Sequence, residues 1–89
     1  MTFVIQMVEF VGCGPMFFSG FNGTYIKNIE DVDDFKTWKF VDKAEDAMTF
    51  EQPHDALTFY NRQSTKTPIR PDGRQNKPLT AFTVLIKPI

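Results

Sequence analysis

The segment Phe3–Val11, FVIQMVEFV, carries apolar residues on both sides of an extended chain. Alternation places Phe3, Ile5, Met7 and Val11 on one face and Val4, Val8 and Phe10 on the other. A strand with one face in water would show polar residues at every second position. This one must be covered on both sides, or nearly so, and is expected to lie in the middle of a sheet. A second apolar strand is predicted over Leu79–Ile86, with Leu79, Ala81, Thr83 and Leu85 alternating against Thr80, Phe82, Val84 and Ile86. These are the two most apolar strands, and they are expected to lie side by side.

Shorter elements are predicted between them. Gly12-Cys13-Gly14-Pro15 breaks the first strand. Met16–Phe21 reads as a weaker strand or an ordered loop. It runs into Asn22-Gly23, a strong hairpin signal, and then into a strand over Thr24–Ile29. Asp31–Asp34 marks a turn and Lys36–Val41 a short or edge strand, followed by one helical turn at Asp42–Ala47 and an extended piece at Met48–Phe50. Pro53 fits the first position of a helix, where its missing N–H costs nothing. Ala56, Phe59 and Tyr60 give the apolar stripe of that helix, with Leu57 beside it, and its end is expected near Gln63. Pro68 and Pro71 keep the following chain extended, and Pro71-Asp72-Gly73 signals a turn. The pattern predicts an α+β fold: a small antiparallel sheet of three to four strands with one helix packed on a face, in two layers.

The length of 89 residues fits a single domain over 1–89. A chain of this size buries only roughly 60 to 65% of the surface exposed when it is unfolded. The ten phenylalanines supply large buried area per residue, so core packing is their expected role, with a stacking platform as the alternative. No run approaches the about 20 apolar residues needed to span a bilayer. The start MTFVIQMVEF lacks a positive segment and reaches Gln6 and Glu9 early, so no signal peptide is expected. One cysteine, Cys13, forms no internal disulfide, and a reducing cytoplasm is the expected compartment.

Catalytic and cofactor chemistry finds little support. Cys13 could act as a nucleophile only with a base, and His54 is the only histidine. One cysteine and one histidine fall short of a zinc site. The acids of IEDVDDF lack the glycine and closing glutamate of a calcium loop. Gly12-Cys13-Gly14 lacks the third glycine of a dinucleotide site. The chain is therefore expected to be non-enzymatic, without cofactor or metal.

Charge is the remaining signal. Nine acids and three lysines between Glu30 and Asp55 give a net −6, whereas five bases and Asp72 between Asn61 and Lys77 give +4. Two opposed segments can self-associate or present two electrostatic faces. The basic segment Asn61–Phe82 is long for a connection in a small domain, and such connections are usually functional or disordered. Arg70, Arg74 and Lys77 flank its turn, where guanidinium forks suit phosphates or partner carboxylates. The acids Asp31, Asp33, Asp34, Asp42, Glu45 and Asp46 form the rival surface, able to meet a basic protein face as a mimic of nucleic-acid charge.

Three stretches, YIKNIE, KAEDAMTFEQPHDALTFY and RQSTKTPIRPDGRQNKPLTAFTV, together resemble small uncharacterised proteins encoded in bacteriophages and prophages. The most specific part is the ending, with Ser64-Thr65, Pro68, Arg70-Pro71-Asp72-Gly73, Asn76 and Pro78–Val84. The helix start Phe50–Ala56 is less specific. The resemblance covers roughly residues 24 to 86. It implies a genomic setting that includes stoichiometric inhibitors of host defence, anti-CRISPR proteins among them. The implied partner is a host protein or ribonucleoprotein in the host cytoplasm, met by the acidic face where DNA phosphate would otherwise sit. It supplies no catalytic residues. A nucleic-acid-binding module using the basic 62–77 segment is the alternative.

Overall fold

A computed structural model of the chain describes residues 1–11 and 20–89. Four strands, β1 (Phe3–Phe10), β2 (Tyr25–Ile29), β3 (Trp38–Val41) and β4 (Phe82–Pro88), form one sheet in the order β3-β2-β1-β4. All neighbours are antiparallel. The one α-helix among the described residues, α1 (Pro53–Tyr60), packs across β1 and β4. The architecture is the α+β arrangement expected from the sequence. The apolar end strands pair along their whole length, from Phe3↔Pro88 to Phe10↔Phe82.

β1 is central, as its two apolar faces required. Ile5 and Met7 lie in the main core with Ile26, Ala56, Leu79 and Phe82. On the opposite face Val4 packs with Tyr25 and Ala47 beneath the 3₁₀ turn Ala44–Asp46. Coverage of that second face stops halfway. A bulge between Met7 and Glu9 shifts the register, and Val8 is left 46% exposed. Every described phenylalanine is buried or half-buried. Contacts such as Phe21–Phe40 at 4.5 Å and Phe10–Phe82 at 5.1 Å join strands and turns into one core.

Several boundaries differ from expectation. β4 begins at Phe82 rather than Leu79, because Pro78–Ala81 winds into a 3₁₀ turn that opens on the proline. Leu79 reaches the core from that turn. The helix stops at Tyr60, short of Gln63. The Asn61 side chain donates to the Leu57 carbonyl at 3.0 Å and closes the last turn. Asn22-Gly23 is not a two-residue hairpin loop. Both sides of β2 are taken by β1 and β3. Only Gly23 adopts positive φ, whereas the predicted turn requires it at both residues. Gly12–Gly14, Cys13, Pro15 and most of Met16–Phe21 lie outside the described residues. The turn at Asp42–Ala47 and the extended Met48–Phe50 fall where expected, the latter through a Phe3↔Phe50 bridge.

β4 is an edge strand, and an unpaired edge invites other chains. Thr83, Leu85 and Lys87 turn their backbone groups toward β1, which leaves those of Phe82, Val84 and Ile86 facing outward. At Phe82 both groups are already used. Its N–H donates to the Leu79 carbonyl, and its carbonyl accepts from the Tyr60 hydroxyl at 2.6 Å. Pro88 has no N–H to offer at the other end. The helix thus closes the start of the edge as well as covering the sheet. Tyr60→Phe is expected to cost about 1 kcal/mol through the lost hydrogen bond. Leu79→Ala is expected to cost about 2 to 5 kcal/mol through the cavity it leaves. Chemical denaturation of the two variants checks both values and their order.

Candidate functional site

The residues from Gln63 to Lys77 are not the plain connection suggested by their composition. They form a small β-hairpin. Arg70 begins a turn in which the Gly73 N–H donates to the Arg70 carbonyl at 2.9 Å, and Gly73 follows with φ 86°. The Arg70 N–H then donates to the Arg74 carbonyl at 2.8 Å. This is the three-residue loop built from a type I turn and a left-handed glycine. Proline at the second position and glycine at the fourth are the residues this loop demands. Below the loop Ile69 bridges Gln75, and the Asn76 N–H donates to the Pro68 carbonyl at 2.9 Å.

The hairpin is fastened to the body by one carboxylate. Asp33, in the turn between β2 and β3, accepts hydrogen bonds from the Ser64 hydroxyl and from the Thr65 N–H and hydroxyl, both at 2.8 Å. The Lys66 N–H adds a fourth at 3.1 Å. Ser64 is 3% exposed, and its oxygen in turn accepts from the Thr67 N–H at 2.9 Å. The Ser64 N–H donates to the Asn76 carbonyl, so both arms of the hairpin meet at this point. The Ser64 hydrogen bond, reinforced by those from Thr65 and Lys66, outweighs desolvation and holds the Asp33 carboxyl far below the usual range.

The six predicted acids therefore separate into two groups. Asp31 accepts the Asp33 N–H at 2.9 Å, and Asp34 caps the 3₁₀ turn Phe35–Thr37 by accepting the Lys36 N–H at 3.1 Å. With Asp33 they build the turn and its latch. Asp42, Glu45 and Asp46 are exposed and lie past the opposite end of β3. Of the predicted bases, Arg70 and Arg74 stand exposed at the hairpin neck, and Lys77 is half-buried at its base. Arg62 belongs to the body: it donates to the Ile29 carbonyl at 3.3 Å and covers the Phe59 ring.

Beside the latch lies a cleft of about 340 Å³, walled by Val32, Phe35, Trp38, Pro78 and Phe82. Its polar members, Asp33 and Asn76, are already committed to the hairpin base. No group of three histidine, cysteine or acidic residues among the described residues could hold a metal ion, Asp31, Asp33 and Asp34 included. His54 is exposed at the helix start, and Cys13 lies outside the described residues. No described helix is long and apolar enough to cross a membrane.

No protein-family model matches the chain, and no curated protein or solved structure matches it either.

The latch had no local signal in the sequence, since Asp33 and Ser64 stand 31 positions apart. It has a measurable signature. A depressed carboxyl pKa means that the unfolded chain binds the proton more tightly. The stabilisation is complete above the ordinary aspartate value of about 3.9 and is lost as pH falls below it toward the depressed value. Asp33→Asn should lower the melting temperature at neutral pH. The gap between wild type and variant should narrow as pH falls from about 4. Ser64→Ala should lower it as well, and should speed hydrogen exchange of the amides in residues 64–76.

Proposed function

We propose that this chain is a non-enzymatic interaction protein of the phage accessory kind. It binds a host protein or ribonucleoprotein in the host cytoplasm and inhibits a host defence complex stoichiometrically, as anti-CRISPR proteins do. The observation that supports this best is the hairpin: a preformed basic finger, self-structured and latched at its base by Asp33, with Arg70 and Arg74 exposed at its neck. A finger already ordered before contact loses little conformational freedom on binding. Exposed cations on a preformed projection also steer encounter with an anionic surface. The contact surface in this reading is therefore the basic one, Arg70, Arg74 and Lys77, because half of the acidic set holds the fold together.

A second reading places the contact at Asp42, Glu45 and Asp46. These are exposed and at the far end of β3 from the latch, where they can face a basic groove. Exposed acids here and exposed bases on the hairpin also permit association of copies.

The readings separate in one experiment. Tagged wild type, Arg70→Glu/Arg74→Glu and Asp42→Lys/Asp46→Lys are each incubated with nuclease-treated host lysate. The arginine variant should lose the captured protein and the acid variant should keep it. Both should stay within about 1 kcal/mol of wild-type stability, because they alter exposed positions. Loss in the acid variant alone moves the site to Asp42, Glu45 and Asp46. A wild-type chain that captures nothing sinks the interaction reading.

A further inference from the structure

Arg70 and Arg74 are directly opposed residues of the hairpin, joined by the Arg70 N–H to Arg74 carbonyl hydrogen bond at 2.8 Å. Directly opposed residues on antiparallel strands place their Cβ atoms about 4.5 to 5.5 Å apart on one face, and like charges there are destabilising. Every other local choice in this hairpin favours its formation: proline and glycine fit the loop, and Asp72 accepts the Arg74 N–H at 3.0 Å. A single position that opposes an otherwise consistent local design marks a functional site more often than an accident. Asp72 does not resolve the conflict. Its carboxylate lies 4.0 Å from Arg74 Nε, with the two side chains 55% and 81% exposed, and such exposed pairs are weak.

We propose that Arg70 and Arg74 form a two-guanidinium clamp for a carboxylate on an acidic protein surface. The clamp rests on the reading of the chain as an interaction protein and names the chemistry of its partner. Guanidinium forks match a carboxylate bidentately, and an incoming acid removes the like-charge conflict at the neck. Two observations favour a protein carboxylate over nucleic-acid phosphate. The hairpin carries no aromatic residue on which a base could stack. The net −6 between Glu30 and Asp55, in a chain of net −1, repels a long polyanion but tolerates a local acid on a mixed surface.

The test immobilises the whole chain and selects from random peptides displayed on filamentous phage. Enriched peptides should carry aspartate or glutamate. Arg70→Ala/Arg74→Ala should weaken their binding about tenfold or more, the size expected for losing hydrogen bonds to a charged group. Arg70→Lys/Arg74→Lys should weaken it less, keeping charge without the forks. The alanine variant should melt no lower than wild type, since it relieves a repulsion. No enrichment, peptides without acids, or undiminished binding to the alanine variant overturns the clamp. Tighter retention of random-sequence duplex DNA than of the peptides at physiological salt also overturns it. Capture of the same lysate protein by wild type and alanine variant removes the clamp while leaving the interaction reading intact.

Discussion

One carboxylate organises the functional half of this molecule. Asp33 takes four hydrogen bonds from three consecutive residues, Ser64, Thr65 and Lys66, and thereby ties the β2–β3 turn to the base of the hairpin. Two of these donors are backbone amides that would otherwise need water or a strand. The arrangement works because Asp33 is itself fixed: its N–H donates to Asp31, and Asp34 caps the turn that leads into β3. An acid that looked like surface charge is the anchor of a basic projection. Without it, the hairpin would keep its internal hydrogen bonds but lose its tie to the β2–β3 turn.

The sheet makes that anchor possible. A chain this small cannot rely on a large core, so it uses its first strand on both faces. β1 contributes Ile5 and Met7 to the helix side and Val4 to a second cluster under the Ala44–Asp46 turn. Trp38 links this core to the latch, since its ring packs 6.5 Å from Phe82 while its Nε1 donates to the Asp31 carbonyl at 3.2 Å. Burial of one aromatic therefore fixes the turn from which Asp33 reaches Ser64. Core packing and hairpin placement are coupled through that side chain.

Much of the fold was legible because its causes are local. The two-faced FVIQMVEF pattern, the β-branched and aromatic content of β2, Pro53 at the helix start and the Pro71-Asp72-Gly73 loop all act within a few residues. What escaped were competitions between neighbours and contacts between distant segments. Leu79–Ala81 alternate as a strand would, yet Pro78 winds them into a 3₁₀ turn and Leu79 is buried from there. Asn22-Gly23 carries a hairpin signal, but β2 had already found both its partners. The acidic and basic segments were legible as charge, whereas their contact was not, because no periodicity relates position 33 to position 64. Of the candidate surface, the residue types could be read in advance and their division of labour could not.

That division changes what charge means in this chain. Counting acids from Glu30 to Asp55 suggests one negative face, but Asp33 has both oxygens on backbone and hydroxyl donors, while Asp31 and Asp34 each hold a backbone N–H with one oxygen. A carboxylate saturated by donors is a poor site for a basic partner, since docking there would require breaking bonds that hold the fold. Of the candidate residues, those with no such duty are Arg70 and Arg74 beside the hairpin loop and Asp42, Glu45 and Asp46 past the end of β3. Only the arginines are held against each other on a preformed hairpin, and a frame that keeps like charges together with no internal partner beyond the weak, exposed Asp72 pair is arranged for an external one.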